Sequence, residues 1–242
     1  MIKLVALLFS GLKFASLSKF LLSGGSMIIT VFAYSLIFGW RYAAGFVGLI
    51  LIHEAGHYFA ARERGLAVGL PTFIPFIGAW VELKDQPMNA ETNAYIGIAG
   101  PVAGTVGALI CYFLAKNYNS HLLLALAYAG FMLNLFNLIP VAPLDGGHIT
   151  AILSPRVWLV GIVVLVALFA WRPSPMLILI GALAAPQVWS AWKHRNEEDQ
   201  TAGYYNTPLK TRIQYGLYYL ALVAFLGILS YELHEQLAVV RG

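Results

Sequence analysis

Apolar side chains run along this chain in stretches of about twenty residues, separated by short polar or Gly/Pro-marked breaks. A helix rises about 1.5 Å per residue, so about 20 apolar residues cross a bilayer core of roughly 30 Å. Such runs predict spanning helices at about 22–40, 42–61, 94–115, 122–140, 157–171, 174–192 and 214–231. The expected fold is therefore all-α, a polytopic transmembrane helical bundle of about seven spans. Between the second and third runs, "GLAVGLPTFIPFIGAWVELKDQP" is apolar but interrupted by Gly and Pro, too short for another crossing. It predicts a short membrane-associated strand or hairpin, with a plain re-entrant loop as the alternative. The opening "MIKLVALLFSGLKFASLSKFLL" spaces lysines 3, 13 and 19 among apolar residues and lacks a small-residue cleavage site followed by a polar start. It reads as an interfacial amphipathic helix rather than a removed signal peptide.

Composition supports a membrane protein: 60% of the 242 residues are hydrophobic and 11% are charged, against about 25% charged in soluble domains. The formal charge of +4 comes with no basic run interleaved with aromatics, so nucleic acid is excluded as a partner and the lipid bilayer is expected. If the spans alternate, eleven of the fifteen basic residues fall on the side of the N-terminus and the 193–213 loop. The positive-inside rule makes that side cytoplasmic and puts the C-terminus on the opposite side, in a membrane expected to be the cell membrane. The single Cys111 lies in an apolar run, so no intramolecular disulfide is possible.

Of the eleven acidic residues, only Glu54 and Asp145 sit in apolar surroundings. A charged group at the centre of a span costs about 2.5–3.5 kcal/mol or more, so it marks pairing or function. In "LIHEAGHYFA", His53 and His57 stand four apart, on one helix face with Glu54 beside them. This is the H-E-x-x-H arrangement, in which two imidazoles ligate zinc and the glutamate takes a proton from water. Counting back from Arg62 puts His53 roughly 13 Å below the cytoplasmic surface, too deep for a short glutamate to snorkel. Asp145 lies in "NLIPVAPLDGGHITAIL", where Pro140 and Pro143 stop a helix and Gly146 and Gly147 permit irregular backbone. Two crossings separate it from His57, which returns it to the level of the histidines as a candidate third ligand. A backbone-capping aspartate is the structural alternative.

These two motifs together resemble the site-2 protease family of intramembrane zinc metalloproteases, in a minimal form without an added soluble domain. "HEAGH" matches its zinc helix, and "NLIPVAPLDGG" matches its N-x-x-P-x-x-x-L-D-G element. The resemblance implies one zinc held by His53, His57 and Asp145, Glu54 as general base, and hydrolysis of peptide bonds in or near transmembrane segments of protein or peptide substrates. It covers a catalytic core at 42–154, flanked by an N-terminal segment and peripheral span at 1–41 and by peripheral spans at 155–242.

Asn137 matches the asparagine of the family element, where it would orient substrate; bonding to a neighbouring helix is the alternative. Asn134, one turn earlier, has a packing role or a substrate contact. His148 stands where many relatives have arginine, as an accessory ligand, a proton carrier or an interfacial hydrogen-bonding group. "AGPVAGTVG" at 99–107 predicts close helix packing rather than phosphate binding. The rival function is a non-catalytic zinc-binding or zinc-transport protein. It needs polar residues continuing outward, where the spans offer little beyond Thr105 and tyrosines.

Overall fold

A computed structural model describes residues 22–85, 87–193 and 203–241. The predicted N-terminal amphipathic helix and residues 194–202 of the 193–213 loop lie outside these residues. The chain is mostly helical: α1 Leu22–Phe38, α2 Trp40–Glu63, α3 Ala90–Tyr118, α4 His121–Asn137, α5 Asp145–Thr150, α6 Trp158–Trp171, α7 Pro175–Lys193 and α8 Leu209–Arg241. An antiparallel hairpin, β1 Thr72–Ile74 and β2 Gly78–Trp80, joins α2 to α3 and pairs Phe73 with Ala79. Two helices, Ala90–Tyr118 and Leu209–Ala238, are long and apolar enough to cross a membrane. Shorter apolar helices accompany them, among them His121–Asn137, which at 17 residues spans about 26 Å.

Local chemistry sets the helix ends. Asn89 caps α3 by accepting from the Thr92 N–H (2.8 Å), and Asn119 closes it in the left-handed conformation (φ 51°). Ser120 caps α4, whose last turn meets Pro140 three residues beyond. Gly39 (φ 80°) separates α1 from α2.

Helices α2, α3 and α4 form the central layer, with α5 against α3. Gly56 faces the Ala99 backbone and Gly107 faces Leu49 and Ile52, so the predicted small-residue stripe does bring helices close. Helix α8 covers α4 through fully buried Leu226 and Leu233, while α6 and α7 pack through Leu165, Ile180 and Ala184 against Ile139 and Val141. Outward-facing Phe113, Val163, Val166, Leu220 and Ile228 are exposed, as lipid-facing residues would be.

Helix α1 holds the hairpin. The Ser23 hydroxyl donates to the Pro71 carbonyl (2.5 Å), Ser26 Oγ accepts from the Phe73 N–H (3.2 Å), and Tyr34 packs on Phe76. The outer edge of β1 is thus covered.

Candidate metal centre

His53 and His57 project from the same face of α2 at Nε2–Nε2 3.1 Å. Asp145, the first residue of α5, faces both, with Oδ2 3.0 Å from His53 Nε2 and Oδ1 3.2 Å from His57 Nε2. Three ligand atoms, one from each residue, lie within 4.8 Å of one another.

The other nitrogen of each ring is committed. His53 Nδ1–H donates to Asn134 Oδ1 (2.8 Å), and Asn134 Nδ2 in turn donates to the Gly130 carbonyl (2.7 Å). His57 Nδ1–H donates to the Ile96 carbonyl (2.8 Å). A neutral ring protonated at Nδ1 carries only a lone pair at Nε2. Two imidazole lone pairs and a carboxylate therefore converge, and buried Asp145 Oδ2 has no hydrogen-bond partner. Such a donor set repels itself unless a cation sits among it. Two histidines and one carboxylate, with outer nitrogens tied to oxygen acceptors, fit a zinc ion with a fourth position open.

Glycines make the room. A Cβ on Gly100 would overlap the His57 ring, and one on Gly104 would overlap the Asn134 amide. Gly146 and Gly147 differ from expectation. Neither has a positive φ; both are helical, and a Cβ on either would strike the backbone of 138–142. Close approach, not backbone freedom, explains this pair, and the irregular segment ends before Asp145 rather than after it.

Glu54, 5% exposed, follows His53 directly on α2. It opens on a cavity of about 440 Å³ that also meets Asn137, His148, Trp80, Met176 and Leu183. Asn137 thus faces the same space as the three ligand candidates. Asn134 does not: 1% exposed, it turns both amide atoms to His53 and Gly130 and acts on the ring rather than on the cavity. His148 lines the cavity, and Gly97 leaves space for its Cβ. Sequence reasoning missed α7, assigned to the peripheral spans, whose Met176, Leu179 and Leu183 form one wall. It also missed the bond from Asn134 to His53. An asparagine one turn before Asn137 on α4 was the available signal.

The zinc metalloprotease MJ0392 of Methanocaldococcus jannaschii is 36% identical over 113 residues, covering 44% of this chain and 32% of the relative. Rip3 of Mycobacterium tuberculosis, named as a proposed zinc metalloprotease, is 31% identical over 133 residues, 50% of this chain and 33% of its own. EGY1, a chloroplast protein of Arabidopsis thaliana assigned as a zinc metalloprotease, is 25% identical over 153 residues, 44% and 28%. The chain spans about a third of the length of these relatives. The sequence profile of peptidase family M50 matches residues 41–120 and 114–161, together half of the chain and the whole of the converging site. The chain belongs to peptidase family M50, the site-2 protease family.

Proposed function

We propose that this chain is a zinc endopeptidase that hydrolyses peptide bonds in or near transmembrane segments of membrane-protein substrates. The observation that carries the reading is the convergence of His53, His57 and Asp145 beside Glu54, with both outer ring nitrogens held by oxygen acceptors. His53 Nε2, His57 Nε2 and the Asp145 carboxylate would hold the ion. Bound there, zinc supplies Lewis-acid polarisation of the peptide carbonyl and lowers the pKa of water to about 7.

The remaining work falls to the protein. Glu54 takes a proton from the attacking water as its oxygen bonds to the carbonyl carbon, then delivers that proton to the nitrogen as the C–N bond breaks. Asn137 orients the substrate backbone. Because the Phe73 N–H points outward to Ser26, the paired residue Ala79 also directs its backbone groups away from the ladder, on the opposite side, beside the cavity. That free edge of β2 takes up an unwound substrate segment as an added strand. Trp80, Met176 and Leu183 give an apolar bed for its side chains.

In the same reading the bundle has about seven spans in the cell membrane, the N-terminus and the 193–213 loop are cytoplasmic, and the C-terminus is on the other side. The core is 42–154. The test is the zinc content of the purified protein together with cleavage of a transmembrane test substrate in detergent. One zinc per chain and chelator-sensitive cleavage support the reading; zinc binding without cleavage of any such substrate favours the non-catalytic zinc protein.

A further inference from the structure

Asp145 owes its place to a turn, residues 138–144, that carries the chain from the end of α4 to the start of α5. Leu138 ends α4, so its carbonyl belongs to the group that helix termination leaves without an intrahelical partner. Leu138 is 1% exposed, and water does not reach it. The partner comes from outside the family-matched region. The Tyr219 hydroxyl, on α8, donates to this carbonyl at 2.6 Å. Among the described residues no backbone N–H meets it.

The same carbonyl lies against Gly146: a Cβ on Gly146 would strike Leu138 O. Tyr219 therefore grips an atom whose other side rests on the residue after Asp145. Trp158 Nε1–H, on α6, donates to the Gly147 carbonyl of α5 (3.0 Å). One aromatic donor thus bonds the start of the turn and the other bonds the helix that follows it. Because the Asp145 carboxylate must meet two imidazoles at once, a small shift of Gly146 changes its approach to both.

We propose that Tyr219 is a positioning residue for Asp145, acting through the Leu138 carbonyl, so that α8 braces the metal site from outside the catalytic core. This rests on the reading of His53, His57 and Asp145 as metal ligands. Tyr219 meets neither the ion nor the substrate. Its effect appears in the ligand geometry, as that of an outer-shell partner does.

Cobalt(II) is the probe, bound to the purified full chain in detergent and read by its visible absorption and by competition with a chelator. Tyr219→Phe should weaken cobalt binding about tenfold and alter the absorption bands. Tyr218→Phe, next to it and exposed, should match wild type in both. In an Asp145→Ala background Tyr219→Phe should add no further loss, because the path it acts through is already cut. Unchanged affinity and spectrum in Tyr219→Phe would overturn the proposal. So would an equal loss in both backgrounds, which marks a general structural effect, or failure of Tyr219→Phe to fold. Absence of cobalt binding by wild type defeats the underlying metal reading instead, a result distinct from all three.

Discussion

Asn134 Oδ1 stands 2.8 Å from His53 Nδ1, joining α4 to the metal-facing helix α2 at a point where both residues are buried. That bond sets which nitrogen of His53 is free. Without it the ring can turn or carry its proton on Nε2, where a ligand lone pair is needed. Asn134→Leu keeps the branched heavy-atom skeleton and removes the acceptor. Zinc affinity is expected to fall 10- to 100-fold, measured by chelator competition. An unchanged affinity would show that Asn134 is only packing.

Gly100 makes a second prediction, separable from hydrogen bonding. In Gly100→Ala the new methyl occupies the position of the His57 ring. Displacing the ring should lower bound zinc and cost about 1–3 kcal/mol of stability, as overpacking does. Gly48→Ala is the control, because nothing lies within 4 Å of the added carbon. Equal zinc content and thermal midpoints in the two variants would contradict the packing account.

Much of this arrangement can be read from the sequence, and the parts that cannot share a cause. The seven apolar runs correspond to α1–α4 and α6–α8 within a few residues at most ends, because crossing length and apolar content are local properties. The break before α2 falls at Gly39 rather than Arg41, since backbone conformation and not charge ends the helix there. His53, Glu54 and His57 are legible because four-residue spacing fixes a shared face. Asp145 is legible because Pro140 and Pro143 mark the turn that leads into it. The Asn134–His53 bond, the space left by Gly100 and the cavity wall of α7 are contacts between elements distant along the chain. Hydrophobic periodicity carries no record of which helices face each other.

The free edge of β2 supplies a third prediction. Ala79→Pro removes an outward-facing N–H while leaving the flanking pairs Thr72–Trp80 and Ile74–Gly78 of the hairpin. It should raise KM for a transmembrane test substrate several-fold with bound zinc unchanged. A KM equal to wild type would mean that substrate does not add to this edge.

Sidedness follows from charge asymmetry, independent of the site. In a Cys111→Ala background, Met88→Cys lies in the exposed segment between β2 and α3, and Asn119→Cys lies between α3 and α4. A membrane-impermeant thiol reagent should label the Asn119 variant in intact cells and the Met88 variant only after permeabilisation. The reverse pattern overturns the orientation, and identical behaviour means that α3 does not cross.

Proton transfer by Glu54 is the step on which the enzymatic reading turns, and Glu54→Gln isolates it. The amide is nearly isosteric with the carboxylate but cannot accept the proton, and the ligand atoms of His53, His57 and Asp145 are untouched. Zinc content and cleavage of a transmembrane test substrate are measured side by side on purified wild type and Glu54→Gln. The account predicts one zinc per chain in both and cleavage in wild type alone; cleavage by Glu54→Gln at near the wild-type rate would contradict it.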